Sequence, residues 1–420
     1  MNPIKLMLVT DVPYWEKATG AQSRISGLIE GLNQEPFRFQ VLVTGMDPLR
    51  EKGFQVSNWD YPVQWVDLSQ PPLQGTWNRI KWYTRAVFNW LGGTLNGALE
   101  NEVKSIGNWY SRSQIERIRE MILASDPDVL VMEYLTQTSV VRSLPARYRE
   151  KTLVVLDSHD ILWKRCEQFK EHSRDHWVEI SKAEEEKSYR EFDLVIAIQS
   201  LEADYIGCVV GEDNVVTTGM EFETLGGPRE TGASGINVGF IASANPANVD
   251  AIFQMVNHWP VLLQANSTLR LLIAGSICDS AEVIRATRGL AGVELLGRVD
   301  SVSDFYAGVD VVWNPVQFGT GLKIKNLEAL AHGKALMTSS HGAEGMFEGG
   351  DPDFEQPASQ PLWVVDTVAE LESLFKTLTP EIIQAKSIQG HDFLVKHFGK
   401  GTQYPQLRRK IASLFSAKSS

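Results

Sequence analysis

The sequence predicts an α/β protein made of two tandem, doubly wound, Rossmann-like domains. Short and almost continuously apolar segments alternate with helix-patterned segments, which is typical of parallel strands covered on both faces. The alternation restarts after the Gly-, Thr- and Ser-rich stretch 223–235, which we interpret as a linker. With 420 residues the chain is long enough for two complete cores. Because ligands of such domains bind beyond the carboxyl ends of the strands, we expect an interdomain cleft to hold them.

The N-terminal domain is predicted to span 1–222 and to begin with the branched-rich strand IKLMLVTD, 4–11. Further strands are predicted at 39–45, 63–68, 128–134, 152–160 and 193–200. Helices are predicted at 24–32, in a long region near 76–124, and over the charged segment 174–191.

The C-terminal domain is predicted to span 236–379. Further helices are predicted at 380–420, and one possible arrangement packs them against the N-terminal domain. Its strands are predicted at 236–243, 269–276, 293–299, 310–316, 334–339 and 362–367. Helices are predicted from about Asn248, at 280–289, at 302–308, from near Leu322, and through the tail 368–416.

Composition excludes several classes of protein. A hydrophobic fraction of 43% and a charged fraction of 22% are those of a globular protein, and a net charge of −12 argues against general nucleic-acid binding. The three cysteines lie far apart, which disfavours a zinc site or a disulfide framework and favours a reducing compartment. Neither a signal peptide nor a membrane-spanning segment is predicted, so we expect a cytoplasmic protein.

The strongest functional pattern is FGTGLKIKNLEALAHGKALMTSSHGAEGM, residues 318–346. Gly319 and Gly321 follow a predicted strand, and a loop without Cβ atoms lets the backbone approach an oxyanion closely. A helix that begins near Leu322 would direct free N–H groups and its positive dipole end towards that loop. The pattern therefore predicts an anion site.

Three charged residues extend this site. Lys323 and Lys325 add positive charge, and Glu328, about two turns further on, offers a carboxylate to a ribose diol. Diphosphate at the loop with ribose beyond it describes a nucleoside diphosphate. The alternative is an ordinary surface helix that happens to begin after two glycines. This alternative stays open because two spaced glycines are by themselves a weak signal of a phosphate site.

This pattern resembles the donor-site signature of GT-B glycosyltransferases, specifically the retaining family 4 enzymes. That family carries an E-x7-E pattern here, whose second glutamate binds the donor ribose and matches Glu328. The first glutamate falls at Thr320, a departure that concerns contacts to the donor sugar. The resemblance covers 236–346 well and the N-terminal half more loosely.

The resemblance also implies where the diphosphate is bound. Family members often use an Arg and a Lys after the first strand of this domain, where the present chain has Asn245 and Asn248. We infer that Lys323 and Lys325 supply the missing charge, with Arg298 as a further candidate.

Two N-terminal segments complete the predicted site. Gly20 precedes a predicted helix and resembles the family's first glycine loop, although an ordinary strand-to-helix loop is the alternative. His159 ends a strand in LVVLDSHDILWKRC, and in the family a histidine at this strand end lies near the transferred sugar. The alternatives are a buried structural histidine or an HD-type metal site, for which the sequence lacks the other ligands.

No metal ligand is predicted. The triplets Asp126–Asp128 and Asp351–Asp353 match the D-x-D metal motif of GT-A enzymes, but we interpret the first as a turn between a helix and a strand and the second as part of a polar loop. The stretch 76–93 mixes five aromatic with three basic residues and no acidic residue, which fits core packing, an acceptor groove or an anionic membrane surface.

The leading hypothesis is a retaining glycosyltransferase without a cofactor or metal. It would use a UDP- or GDP-type sugar as donor and a carbohydrate or lipid-linked acceptor, in polysaccharide or glycolipid synthesis. Two alternatives stay open, a nucleotide-sugar 2-epimerase of the same fold and a non-catalytic nucleotide-sugar binder.

Overall fold

A computed structural model describes residues 3–16, 19–44, 59–66, 68, 104–225, 235–347 and 360–419. The chain forms two compact units. The N-terminal unit comprises Met1–Ile198, Glu202–Thr218 and Tyr404–Ser420, and the C-terminal unit comprises Gln199–Leu201 and Gly219–Gln403. The stretch 76–93, most of the predicted linker and the second aspartate triplet lie outside the described residues.

The N-terminal unit contains a parallel sheet of seven strands. The strands are β1 (Ile4–Thr10), β2 (Phe37–Thr44), β3 (Val63–Val66), β5 (Val129–Glu133), β6 (Leu153–Asp157), β8 (Leu194–Ala197) and β9 (Val215–Thr217), and a separate pair joins β4 (Lys104–Ser105) to β7 (Val178–Glu179). The sheet order is β3–β2–β1–β5–β6–β8–β9. Residues of its central strands are buried on both faces, which explains their continuous apolar sequence.

Helices cover both faces of this sheet. They are α1 (Gly20–Leu32), α2 (Arg112–Ser125), α3 (Thr138–Ser143), α4 (Ala146–Lys151), α5 (Leu162–Glu171), α6 (Lys182–Tyr189) and α7 (Ser200–Val210). The last helix of the chain, Tyr404–Ser419, also belongs to this unit and is called α15 below. Its Arg408 donates to the Gly31 carbonyl at 2.5 Å, and its Lys418 pairs with Asp193 at 2.6 Å.

The C-terminal unit contains a second parallel sheet, of six strands. The strands are β10 (Ile236–Ile241), β11 (Leu269–Ala274), β12 (Val293–Gly297), β13 (Val311–Asn314), β14 (Ala335–Thr338) and β15 (Trp363–Val364), in the order β12–β11–β10–β13–β14–β15. Its helices are α8 (Pro246–Ala265), α9 (Ala281–Thr287), α10 (Val302–Ala307), α11 (Ile324–Ala331), α12 (Ser340–Ala343), α13 (Val368–Thr377) and α14 (Pro380–Phe398). The prediction of two doubly wound α/β domains is confirmed.

Some local predictions were wrong. The segment 174–191 is not one helix, because Ser181 caps α6 by accepting from the Glu184 N–H and the preceding residues include strand β7. Helix α1 begins at Gly20, four residues before its predicted start, because Thr19 and Gln22 form a capping box. Strand β9 was not predicted. Among the described residues, no helix has the length and apolar character needed to cross a bilayer.

Candidate functional site

Each sheet has one point at which its winding direction reverses. In the N-terminal unit β1 lies between β2 and β5, and in the C-terminal unit β10 lies between β11 and β13. Doubly wound sheets bind ligands beyond the carboxyl ends of the strands at such reversals. In each unit by itself, the predicted site residues are therefore expected near its own reversal.

In the C-terminal unit the glycine loop lies between β13 and α11, at the reversal. Gly319 and Gly321 have φ angles of 103° and 78°, which side chains with a Cβ rarely adopt. Lys323 donates from Nζ to the carbonyl oxygens of Gly319 and Gly321, at 2.9 and 2.8 Å. Lys323 therefore holds the loop closed, a contact that the sequence did not predict.

Lys325 lies in the first turn of α11 and reaches towards the start of α8. Its Nζ donates to Asn248 Oδ1 and lies 4.9 Å from the centre of the Phe240 ring. Burial, together with the charge of Lys323, lowers the pKa of Lys325 to about 7. Since α8 and α11 follow neighbouring strands, the positive ends of two helix dipoles contribute to the same region. The arrangement stabilises an anion.

Glu328 is held by an aromatic pair. Its Oε2 accepts from the Tyr306 hydroxyl at 3.3 Å, and the Tyr306 ring stacks on His332 at 4.5 Å between centroids. Burial raises the pKa of Glu328, while the Tyr306 hydrogen bond and Lys325 act in the opposite direction. The carboxylate is therefore fixed in the second turn of α11.

The other predicted residues of this unit differ in their surroundings. Thr320 Oγ1 is buried and has no hydrogen-bond partner among the described residues. Leu322 is buried under the loop. Arg298 follows the edge strand β12, is largely exposed, and pairs with Asp279 at 3.0 Å. Strands β11 and β10 lie between β12 and β13, so Arg298 is not brought to the loop.

Asn326, which the sequence analysis missed, fixes α11 to the sheet. It is fully buried, accepts from Asn314 Nδ2 at 2.7 Å, and donates to the Gly342 carbonyl at 2.8 Å. A buried amide with several partners specifies one position of the helix, because any displacement leaves polar groups unpaired. The signal was present in VVWNPV and IKNLEAL, where one asparagine interrupts each apolar segment.

In the N-terminal unit the predicted Gly20 is the first residue of α1 and is exposed. One turn further, Arg24 is buried and binds both carboxylate oxygens of Asp157, at 2.5 to 3.1 Å. Arg24 also donates to the Thr218 carbonyl at 3.1 Å. Neither Arg24 nor its pairing with Asp157 was predicted, although an arginine on an otherwise apolar helix face is a usable signal.

His159 lies at the carboxyl end of β6 and is only 4% exposed. Its Nε2 is 2.6 Å from Glu133 Oε2 and 3.5 Å from Asp157 Oδ2. The imidazole stacks on Tyr134 with 3.8 Å between ring centres and an interplanar angle of 10°. Burial and the charge of Asp157 raise the pKa of Glu133 to about 7, while His159 and Arg24 act in the opposite direction. The structure thus adds Glu133 and Tyr134 to the predicted histidine.

Among the described residues, Glu133, Asp157 and His159 form a group whose oxygen and nitrogen ligand atoms lie within 4.8 Å of one another. The guanidinium of Arg24 already occupies both oxygens of Asp157 and would repel a metal cation placed there. We therefore describe this group as a buried charge network. The absence of a metal requirement stays a prediction.

The described aspartate triplet behaves as a turn. Asp126 ends α2 with a φ of 44° and pairs with Lys151 at 2.7 Å. Asp128 accepts from the Lys5 backbone N–H at 2.8 Å. Both carboxylates therefore have structural partners.

Comparisons with known proteins agree with the fold. A family model described as glycosyl transferases group 1 matches residues 235–373, and no curated protein sequence matches the chain significantly. Sucrose-phosphate synthase from Thermosynechococcus elongatus is similar with a TM-score of 0.67 and 13% identity, covering 99% of this chain and 100% of that chain. HepE from Anabaena, in complex with UDP and glucose, gives a TM-score of 0.63, 13% identity and the same coverage.

A variant of S. aureus TarM, in complex with Fondaparinux, alpha-GlcNAc-glycerol and UDP, gives a TM-score of 0.65 and 10% identity, again over 99% of this chain and 100% of that chain. At such low identity these likenesses concern the fold. They confirm the predicted GT-B fold class.

Proposed function

We propose that this chain, which has the GT-B fold and carries a group 1 glycosyl transferase domain at residues 235–373, is a retaining glycosyltransferase. It transfers a sugar from a nucleoside diphosphate sugar to an acceptor hydroxyl, without a bound metal. The observation that carries the proposal is the glycine loop at the sheet reversal, which the matched domain contains together with Lys325 and Glu328.

The diphosphate of the donor is assigned to the loop and to the starts of α8 and α11. Two helix N-termini and Lys325 supply positive charge there, and the left-handed glycines leave room for phosphate oxygens. Glu328 is assigned to the ribose. We propose UDP as the nucleotide, because HepE and TarM were crystallised with UDP, and GDP as the competing possibility.

The chemical step needs stabilisation of a leaving diphosphate. Fixed dipoles and a lysine supply it without reorganisation at the moment of reaction. Retention follows if the acceptor hydroxyl attacks the anomeric carbon from the face that the diphosphate leaves. The C–O bond to the diphosphate breaks, the acceptor oxygen forms the new bond, and the departing phosphate oxygen takes the acceptor proton. No protein nucleophile is needed, and His159 is assigned to a hydroxyl of the transferred sugar.

The acceptor is assigned to the N-terminal unit and to the chemical class of carbohydrates, free or lipid-linked. The stretch 76–93, which the sequence associates with an acceptor groove or a membrane surface, lies outside the described residues. Peripheral membrane contact through this stretch therefore rests on sequence alone.

A thermal-shift screen of UDP-, GDP- and ADP-sugars tests the proposal first, because a ligand that binds only the folded state raises the melting temperature. The stabilising donor is then incubated with carbohydrate acceptors, with and without EDTA. We expect transfer in both conditions and a product that keeps the donor's anomeric configuration in proton NMR. Conversion of the donor without an acceptor would favour the epimerase, and binding without any turnover would favour a non-catalytic binder.

A further inference from the structure

The geometry points to Glu133 as a positioning residue that sets the tautomer and the orientation of the His159 imidazole. Glu133 keeps the proton on Nε2, so that Nδ1 is left as a hydrogen-bond acceptor for a substrate hydroxyl. That the donor to Nδ1 is a substrate hydroxyl rests on the proposed function. The tautomer of His159 does not, because it is a property of the chain itself.

The first support is the placement of the two residues. Glu133 and Asp157 are register partners at the ends of the neighbouring strands β5 and β6, and His159 follows two residues later. Nε2 of His159 lies 2.6 Å from Glu133 Oε2 but 3.5 Å from Asp157 Oδ2. Because both oxygens of Asp157 are bound by Arg24, Glu133 is the carboxylate that determines the state of Nε2.

The second support is the way in which the ring plane is fixed. Tyr134, directly after Glu133, stacks on the imidazole at 3.8 Å with nearly parallel planes. Tyr134 and His159 both have positive backbone φ angles, of 67° and 61°. This conformation is unfavourable for bulky residues and persists where the surroundings fix it. Backbone and stacking together hold the ring with its Nε2 edge on Glu133.

The chemistry then follows from the donors and acceptors. An ionised carboxylate only accepts hydrogen bonds, and a neutral imidazole has one donor nitrogen and one acceptor nitrogen. If Nε2–H donates to Glu133, Nδ1 must be the acceptor. Within the part of the chain that the structure describes, the hydrogen bonds and ion pairs of this ring all run through Nε2. Nδ1 is therefore the nitrogen that a sugar hydroxyl can use.

The experiment measures the tautomer directly. The full-length chain is labelled with 15N-histidine, and the His159 signals among the eight histidines are assigned by their loss in His159→Gln. In the wild type we expect a protonated Nε2 and an unprotonated Nδ1 at about pH 8.5, where Glu133, whose pKa is raised to about 7, is ionised. In Glu133→Gln the side-chain amide can donate to Nε2, so we expect the Nδ1–H tautomer to gain population.

The same variants are assayed for transfer. Loss of one substrate hydrogen bond should lower kcat about tenfold in Glu133→Gln, with the affinity for the nucleotide unchanged. Glu185→Gln is the matched control. Glu185 is also a fully buried carboxylate of this unit whose pKa is raised to about 7 by burial, but it accepts from the backbone N–H groups of Leu162 and Trp163. We expect Glu185→Gln to leave the His159 tautomer as in the wild type.

A wild-type His159 protonated on Nδ1 would overturn the inference without any variant, which covers the case that Glu133→Gln does not fold. An unchanged tautomer together with unchanged kcat in Glu133→Gln would also overturn it. If the wild type transfers no sugar from any donor, the proposed function fails, and the NMR measurement still decides the role of Glu133.

Discussion

Lys325 provides a quantitative test of the donor site. Burial beside Lys323 lowers its pKa from 10.5 to about 7, so at pH 8 only about 9% of the free protein carries this charge. A diphosphate bound at the starts of α8 and α11 favours the charged form and raises this pKa again. Binding should therefore take up about 0.9 proton at pH 8, and the affinity should fall about tenfold per pH unit above pH 7.5.

The assay is calorimetric titration with UDP at pH 8 in two buffers of different ionisation enthalpy, which counts the protons taken up. Lys325→Met keeps the length of the side chain and should abolish both the uptake and the pH dependence. The matched control is Lys386→Met, since burial also lowers the pKa of Lys386, which lies in the same unit and donates to the Gln360 carbonyl at 2.6 Å. Equal proton uptake by the wild type and Lys325→Met, or none in either, would refute the assignment of Lys325 to the diphosphate.

The lowered pKa of Lys325 also determines how the stability of the unliganded protein changes with pH. Between pH 7 and 10.5 the unfolded chain binds more protons at Lys325 than the folded chain does, so this group makes the free energy of unfolding increase as the pH rises through that window. UDP at saturating concentration should make the free energy of unfolding increase less steeply with pH, because bound diphosphate raises the pKa of Lys325 again.

Three further predictions concern other residues. Glu328→Ala should weaken nucleotide binding roughly tenfold to a hundredfold, the value of a charged hydrogen bond, with little loss of stability; unchanged affinity in calorimetry would remove Glu328 from the site. Arg24→Met removes the guanidinium that binds both oxygens of the buried Asp157 and leaves only His159 beside that carboxylate, so it should lower the free energy of unfolding in urea by about 3–5 kcal/mol, whereas a change below about 1 kcal/mol would mean that the pair is not maintained in solution. The three basic residues in 76–93 should give roughly 3 kcal/mol of attraction to anionic liposomes, so flotation at low salt should carry part of the protein and high salt should release it; a protein that never floats would exclude the membrane interpretation.

Several parts of the candidate site were accessible from sequence because their signals are local. Gly319 and Gly321 have the left-handed conformations that spaced glycines suggest, and α11 begins within two residues of its predicted start. Glu328 follows at a fixed helical distance. Such features depend on φ preferences and on helix geometry, which a short segment carries by itself.

The partners of these residues were not accessible in this way. Lys325 meets Asn248 across 77 positions, and Arg24 meets Asp157 across 133 positions. Parallel strands pair over long separations, and the order of strands in the sheet decides which loop ends become neighbours. Arg298 shows the same limit, because it resembles a phosphate ligand in sequence but follows an edge strand.

The sequence alone therefore determined the α/β class, the two doubly wound domains and the glycine loop before α11, because apolar periodicity and glycine placement are properties of contiguous residues. Only the tertiary structure decided the charge states and the partners: the lysine pKa near neutrality, the buried Arg24–Asp157 pair, and the carboxylate that holds His159. The physical reason is that burial and electrostatic coupling depend on distances of a few ångströms between residues far apart in the chain, and those distances exist only after the sheets have formed.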